Sequence, residues 1–99
     1  MSGMKDYLTV RIFSVERQLS EIKCDSVQLP IADNMKGEFS GSYGIRKGHA
    51  KAVFSLKAGK VFLSQNGKAV FTADISEGFA TVENNEVCIT VDRVGESTI

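Results

Sequence analysis

Apolar side chains in this chain recur every second residue, and nowhere is a 3.6-residue period sustained. Leu8, Val10 and Ile12 alternate with Thr9 and Arg11. Ala52, Phe54 and Leu56 alternate with Lys51, Val53 and Ser55, and Val87, Ile89 and Val91 with Cys88, Thr90 and Asp92. Successive side chains of a strand point to opposite faces, so this alternation marks half-buried strands. Further β-branched or aromatic runs lie at Val61-Phe62-Leu63, Val70-Phe71-Thr72 and from Phe79 to Val82. Strands spaced about every 8 to 12 residues suit a sandwich or a barrel. Large apolar groups on both faces of several strands favour two packed sheets over one sheet with a wet face. The expectation is an all-β fold of mainly antiparallel strands, with any helix short.

Turn signals fall between the runs. Asn66-Gly67 is the strongest, because both residues tolerate positive φ, and Asn84-Asn85 repeats the pattern before Glu86. Lys57-Ala58-Gly59 makes a turn between Leu56 and Lys60. Ile22 and Cys24 share one face while Val27 and Leu29 would share the other. A one-residue slip restores both pairs to the core, which predicts a β-bulge at Asp25-Ser26.

The chain of 99 residues is read as a single domain spanning residues 7–94, without internal repeat or linker. Residues 1–6 form an N-terminal segment, in which Met1-Ser2-Gly3 ahead of Met4 has the form of an expression leader. Residues 95–99 are expected to be a flexible tail. Hydrophobic residues at 42% and charged residues at 24% argue against disorder. Lys plus Arg and Asp plus Glu both total 12, so the basic excess expected of a nucleic-acid binder is missing. No apolar run approaches the roughly 20 residues that cross a bilayer as a helix, and no secretory signal pattern opens the chain. Direct membrane insertion is not expected. Cys24 and Cys88 read as small buried apolar residues, with no C-x-x-C pair to suggest zinc.

Catalytic constellations are sparse. The glycines at 37, 41, 44 and 48 lack the G-x-x-x-x-G-K-[ST] pattern of a phosphate-cradling loop. A nucleophilic serine needs a positioned base, and the one histidine, His49, has no acid at a local spacing. Asp33, Glu38, Glu83 and Glu86 read as solvated charge. The chain is not expected to be an enzyme or to hold a metal or cofactor. The segment from Gly37 to Lys51 instead collects glycine, Phe39, Tyr43, Arg46, two lysines and His49. That is the composition of a binding edge, and equally of a surface loop whose aromatics plug the end of the sandwich.

Several ordered stretches together resemble a known family. LTVRIFSVE at residues 8–16, DSVQLP at 25–30 and YGIRKGHA at 43–50 are three of them. LKAGKV at 56–61 and ISEGFATVENNEVCITVD at 75–92 complete the set. The chain is similar over Tyr7 to Val94 to the N-terminal β-sandwich domain of the epsilon subunit of F-type ATP synthases. The resemblance implies two five-stranded sheets packed face to face. It implies a non-catalytic subunit of the central stalk that couples proton translocation to ATP synthesis by docking on the gamma subunit and the membrane rotor ring. Such a protein is peripheral to the cytoplasmic face of a bacterial plasma membrane. Position by position, Ser14 and His49 would face gamma, with Tyr43, Gly44 and Gly48 in the same partner-binding loop, and Glu38 would be the acid facing the ring.

The family commonly has Leu-Pro-Gly-His-Ala-Pro, where Lys47 and Lys51 here replace both prolines. Ala58 stands where proline is common and Glu77 where a second glycine is usual. The segment between Pro30 and Tyr43 is longer than usual. Either Glu38-Phe39 or Ser42-Tyr43 matches the family's acid-aromatic pair, and the second match removes the acid. Family members typically continue into a two-helix hairpin that senses ATP. With the sequence ending at Ile99, neither that hairpin nor nucleotide binding is expected. The alternative function is a stand-alone protein-binding adaptor that keeps the fold with a different partner.

Overall fold

A computed structural model describes residues 7–32 and 42–97. Ten strands account for most of them: β1 Leu8–Phe13, β2 Gln18–Cys24, β3 Ser26–Pro30, β4 Ser42–Arg46 and β5 Ala52–Leu56, then β6 Gly59–Gln65, β7 Lys68–Ile75, β8 Gly78–Glu83, β9 Glu86–Val91 and β10 Val94–Ser97. They form two five-stranded sheets, ordered β2-β1-β9-β8-β5 and β10-β7-β6-β3-β4. The expected sandwich is therefore the observed fold. No helix occurs among the described residues.

Alternation places the core as the sequence pattern requires. Leu8, Val10, Ile12, Val87, Ile89, Ala80, Val82 and Leu56 come inward from the first sheet. Val27, Leu29, Ile45, Val61, Leu63, Ala73 and Ile75 meet them from the second. Burying a side chain of this kind contributes about 1.5 to 3 kcal/mol, and these two inner faces are the main source of stability. Every pairing is antiparallel except β1 with β9, which run parallel with Thr9 opposite Glu86 and Phe13 opposite Thr90.

Both asparagine turns form as expected. Asn66 (φ 55°) with Gly67 (φ 82°) joins β6 to β7, and Asn84 (φ 53°) with Asn85 (φ 62°) joins β8 to β9. Two left-handed residues in a two-residue loop match the right-handed twist of the strands. Lys57 and Ala58 carry the chain from β5 in one sheet to β6 in the other, making a crossing between layers. There Gly59 lies so close to Pro30 that a Cβ would meet the proline Cβ at 2.8 Å.

Two expectations need correction. The predicted bulge at Asp25-Ser26 is a corner: β2 ends at Cys24 in the first sheet and β3 begins at Ser26 in the second. A chain that bends between layers shifts its inward phase by one residue, as a bulge does. Asp25 fixes the corner, donating its N–H to the Ser64 carbonyl (2.9 Å) and accepting the Asn66 N–H at Oδ2 (2.8 Å). A register shift does occur in β6 and β7, where Leu63 faces Phe71 and Ser64 faces Ala69, leaving Val70 extra. The tail expected from Gly95 is a strand as far as Ser97, pairing Gly95 with Asp74 and Ser97 with Thr72. Backbone pairing with β7 orders a segment whose polar side chains give no sign of it.

Cys24 is fully buried, as expected, whereas Cys88 is only half-buried on the outer face of the first sheet; both are free thiols. The strands give the sandwich two ends. One carries the Asp25 corner and the 47–51, 66–67 and 84–85 loops; the other carries the 14–17, 57–58, 76–77 and 92–93 turns.

Candidate docking interface

The Gly-His-Ala loop is built at the Asn85 end. After β4, residues 46–49 close a turn in which the His49 N–H donates to the Arg46 carbonyl (3.2 Å). Gly48 occupies the third position with φ 82°, while Lys47 has no positive φ, the pattern of a type II turn. The Gly48 N–H donates to Asn85 Oδ1 (2.8 Å), and the Asn85 carbonyl accepts the Thr9 N–H (2.9 Å). The loop is thus tied to the β8–β9 turn and, through it, to the start of β1.

His49 packs inside this frame. Its Nδ1 lies 2.7 Å from the Ala50 carbonyl. A carbonyl can only accept, so Nδ1 carries a proton, and Nε2 lies within hydrogen-bond distance of the Tyr43 hydroxyl at 3.0 Å. Tyr43 lies against Phe54 with ring centroids 4.9 Å apart, and His49 meets both rings edge-on, at 5.8 Å from Tyr43 and 6.0 Å from Phe54. Aromatic pairs of this geometry contribute about 0.5 to 1.5 kcal/mol beyond their burial. Both ring nitrogens are engaged, which fixes the orientation of the ring within the loop. What the loop offers outward is shape and charge: Lys47 and Lys51 are exposed, and Lys51 approaches Glu83 at 3.9 Å. A shallow groove of about 480 Å³ runs past Gly48, His49, Lys51, Glu83 and Asn85.

The residues expected to bind partners are therefore only partly gathered. Tyr43, Gly48 and His49 come together. Gly44 sits on the opposite face of β4 from Tyr43, across from Gln28, with open space where its Cβ would be. Ser14 lies at the other end of the first sheet, since Phe13 pairs with Thr90 whereas His49 precedes the strand whose Ala52 pairs with Val82. The Ser14 hydroxyl accepts the Arg17 N–H and donates to the Arg17 carbonyl, both at 3.0 Å, closing the β1–β2 turn. Glu38 lies outside the described residues. Phe54 and Asn85 were not singled out by sequence reasoning, and only the alternation of β5 pointed Phe54 inward.

On the outer face of the first sheet Arg11 pairs with Glu21 and, at 3.6 Å, with Glu86 Oε1. The Glu21 hydrogen bond and charge raise the pKa of the guanidinium. Among the described residues no cluster of His, Cys, Asp and Glu is placed to hold a metal ion, and no helix is long and apolar enough to cross a membrane.

The family model of the ATP synthase delta/epsilon chain β-sandwich domain matches residues 7–97. The chain belongs to that family. Among curated relatives of this delta/epsilon domain, the ATP synthase epsilon chain of a Synechococcus species is 34% identical over 86 residues, 87% of this chain. That of Magnetococcus marinus is 36% identical over 72 residues, 73% of this chain. The matches cover 57% and 49% of those proteins, so this chain spans about half the length of the relatives. Among solved structures, a chain of the Euglena gracilis mitochondrial ATP synthase (OSCP/F1/c-ring) superposes with a TM-score of 0.77 at 18% identity, covering 96% of this chain and 56% of that one. A chain of the Tetrahymena thermophila mitochondrial ATP synthase central stalk and c-ring gives 0.68 at 12% identity, covering 92% and 67%. At such identities the likeness is one of fold.

Proposed function

We propose that this delta/epsilon domain is a non-catalytic element of the rotor stalk of an F-type ATP synthase. It docks on the gamma subunit and the rotor ring at the cytoplasmic face of a bacterial plasma membrane, and so helps couple proton translocation to ATP synthesis. The observation that carries this reading is the family match over residues 7–97, which takes in all ten strands. The engagement of both His49 nitrogens agrees with it, since the loop then acts as a rigid docking edge. Calorimetric titration with the gamma subunit of the same synthase tests the reading. Binding by the wild type, weakened by about 1 to 3 kcal/mol in His49→Ala, is the expected result. The melting temperature of the variant separates lost binding from lost folding.

A second reading is favoured by Lys47 and Lys51, which make the loop more cationic than the family's proline-bearing form. The domain would then be a stand-alone adaptor with a different, acidic partner. No gamma binding at about 50 μM protein, a Kd too weak for a stable complex, selects this reading.

A further inference from the structure

Of the four asparagines in the chain only Asn66 is followed by glycine. Asn66 and Gly67 are both exposed, and both lie outside the β6–β7 ladder, which closes at Gln65 opposite Lys68. The Asn66 side-chain amide has no hydrogen-bond partner among the described residues. Gly67 has no Cβ, and the position one would take is surrounded by open space, so nothing screens its backbone nitrogen from the preceding side chain.

The other asparagine turn supplies the contrast. Asn84 and Asn85 share the left-handed backbone of Asn66 and Gly67, with φ of 53° and 62° against 55° and 82°. There, however, the residue after Asn84 carries a side chain, and it is held from two sides. Asn85 Oδ1 accepts the Gly48 N–H at 2.8 Å, and the Asn85 carbonyl accepts the Thr9 N–H at 2.9 Å. The residue after Asn85 is Glu86, which already lies in the ladder opposite Glu83. The two turns share a conformation, yet only the first leaves an unheld amide next to an unscreened backbone nitrogen.

We propose that Asn66-Gly67 is a self-modification site, at which the Asn66 side chain converts to aspartate and isoaspartate and so loosens the Asp25 corner as the protein ages. The Gly67 nitrogen gives up its proton to solvent and bonds to Asn66 Cγ. The Cγ–Nδ2 bond breaks, and Nδ2 takes a proton from solvent and leaves as ammonia. Water then opens the cyclic imide. Attack at Cγ gives aspartate; attack at the Asn66 main-chain carbonyl carbon gives isoaspartate. Nothing is oxidised or reduced, and water is the sole co-reactant. The consequence follows from position. Asp25 Oδ2 accepts the Asn66 N–H at 2.8 Å, one of the two bonds that fix the corner between the sheets. Aspartate keeps the backbone path and adds a carboxylate beside the hollow of about 440 Å³ lined by Asp25, Ser26, Arg46, Lys47 and Gly67. Isoaspartate routes the chain through Cγ, inserting a methylene into a loop whose length fixes the register of β6 with β7. The hairpin and its bond to Asp25 then shift together.

The test stores the purified, folded chain in mildly alkaline buffer and follows Asn66, Asn84 and Asn85 by peptide mapping and mass spectrometry. Enzymatic methylation of isoaspartyl carboxylates is the second readout. Conversion at Asn66 is expected to run severalfold ahead of Asn84 and Asn85 and to yield both acids. Gly67→Asn copies the residue pair of the other turn and is expected to slow it severalfold. Asn66→Gly keeps a pair suited to the same turn and is expected to abolish it. Circular dichroism establishes that each variant is folded. The isoaspartyl fraction, isolated by chromatography, is expected to melt below the unmodified chain, and freshly prepared Asn66→Asp to melt near it. Conversion of Asn66 no faster than that of Asn84 and Asn85 overturns the proposal, as does an undiminished rate in Gly67→Asn. An isoaspartyl fraction that melts with the unmodified chain overturns the loosening of the Asp25 corner. No step involves a binding partner, so a failed gamma titration and a failed conversion are separate results.

Discussion

The Cys24 thiol illustrates how burial alone can make one side chain report on the whole fold. It is enclosed at the Asp25 corner, and its pKa is pushed up to about 11 from 9.0, chiefly by burial. A folded-state pKa above the unfolded one means that the stabilisation is complete below about pH 9 and is lost as pH rises through 11. Urea unfolding of wild type and Cys24→Ala should therefore diverge less at pH 10.5 than at pH 8, by about 1 to 2 kcal/mol. Disulfide-exchange labelling at pH 8 should modify half-buried Cys88 first and Cys24 only on unfolding. Which residues belonged to the Gly-His-Ala site was partly legible in the sequence. Tyr43, Gly48 and His49 stood out as aromatic, turn-forming and singular. The tether from Asn85 was hidden, because Asn85 was already explained by its own turn and the approach of two loops distant in sequence leaves no local pattern. The separation of Ser14 from His49 was equally hidden, since it follows from the parallel pairing of β1 with β9.

At the scale of elements, turn chemistry sets what a substitution can do. Lys47 is the second residue of a type II turn, a position that proline pre-sets, and it has no positive φ. Lys47→Pro is expected to stabilise the domain by about 0.4 to 1 kcal/mol through the unfolded chain, read as a higher urea midpoint at unchanged m-value. An equal or lower midpoint would show that the Lys47 N–H or the preceding Arg46 backbone resists the ring. Strands and hairpins were the most legible level, because alternation and Asn-rich turns act locally. The Asp25 corner was misread for an equally local reason. A bulge and a bend between layers give the same one-residue slip, and only the second sheet's position tells them apart. β10 escaped because its order comes from the ladder with β7, to which its own side chains give no clue.

The molecule as a whole is held by pairings between segments far apart in the chain. β1 lies between edge strand β2 and central strand β9 of its sheet, and the second sheet is reached through the Asp25 corner and the β5–β6 crossing. Closing such long loops precedes most of the contacts that reward it. Stopped-flow refolding is expected on a millisecond-to-second timescale, with slowing by mutations in the β1–β9 pair greater than by mutations in the 66–67 hairpin. Microsecond folding would contradict this topology. The same β1–β9 ladder governs how the protein is made. Within the domain β1 is synthesised before every other strand, whereas its parallel neighbour β9 follows only about 70 residues later. Until then β1 has only β2, and an isolated two-stranded hairpin is marginal in water. The nascent domain must carry the apolar inner face of β1 exposed over that whole interval, so protection by chaperones falls first on this strand.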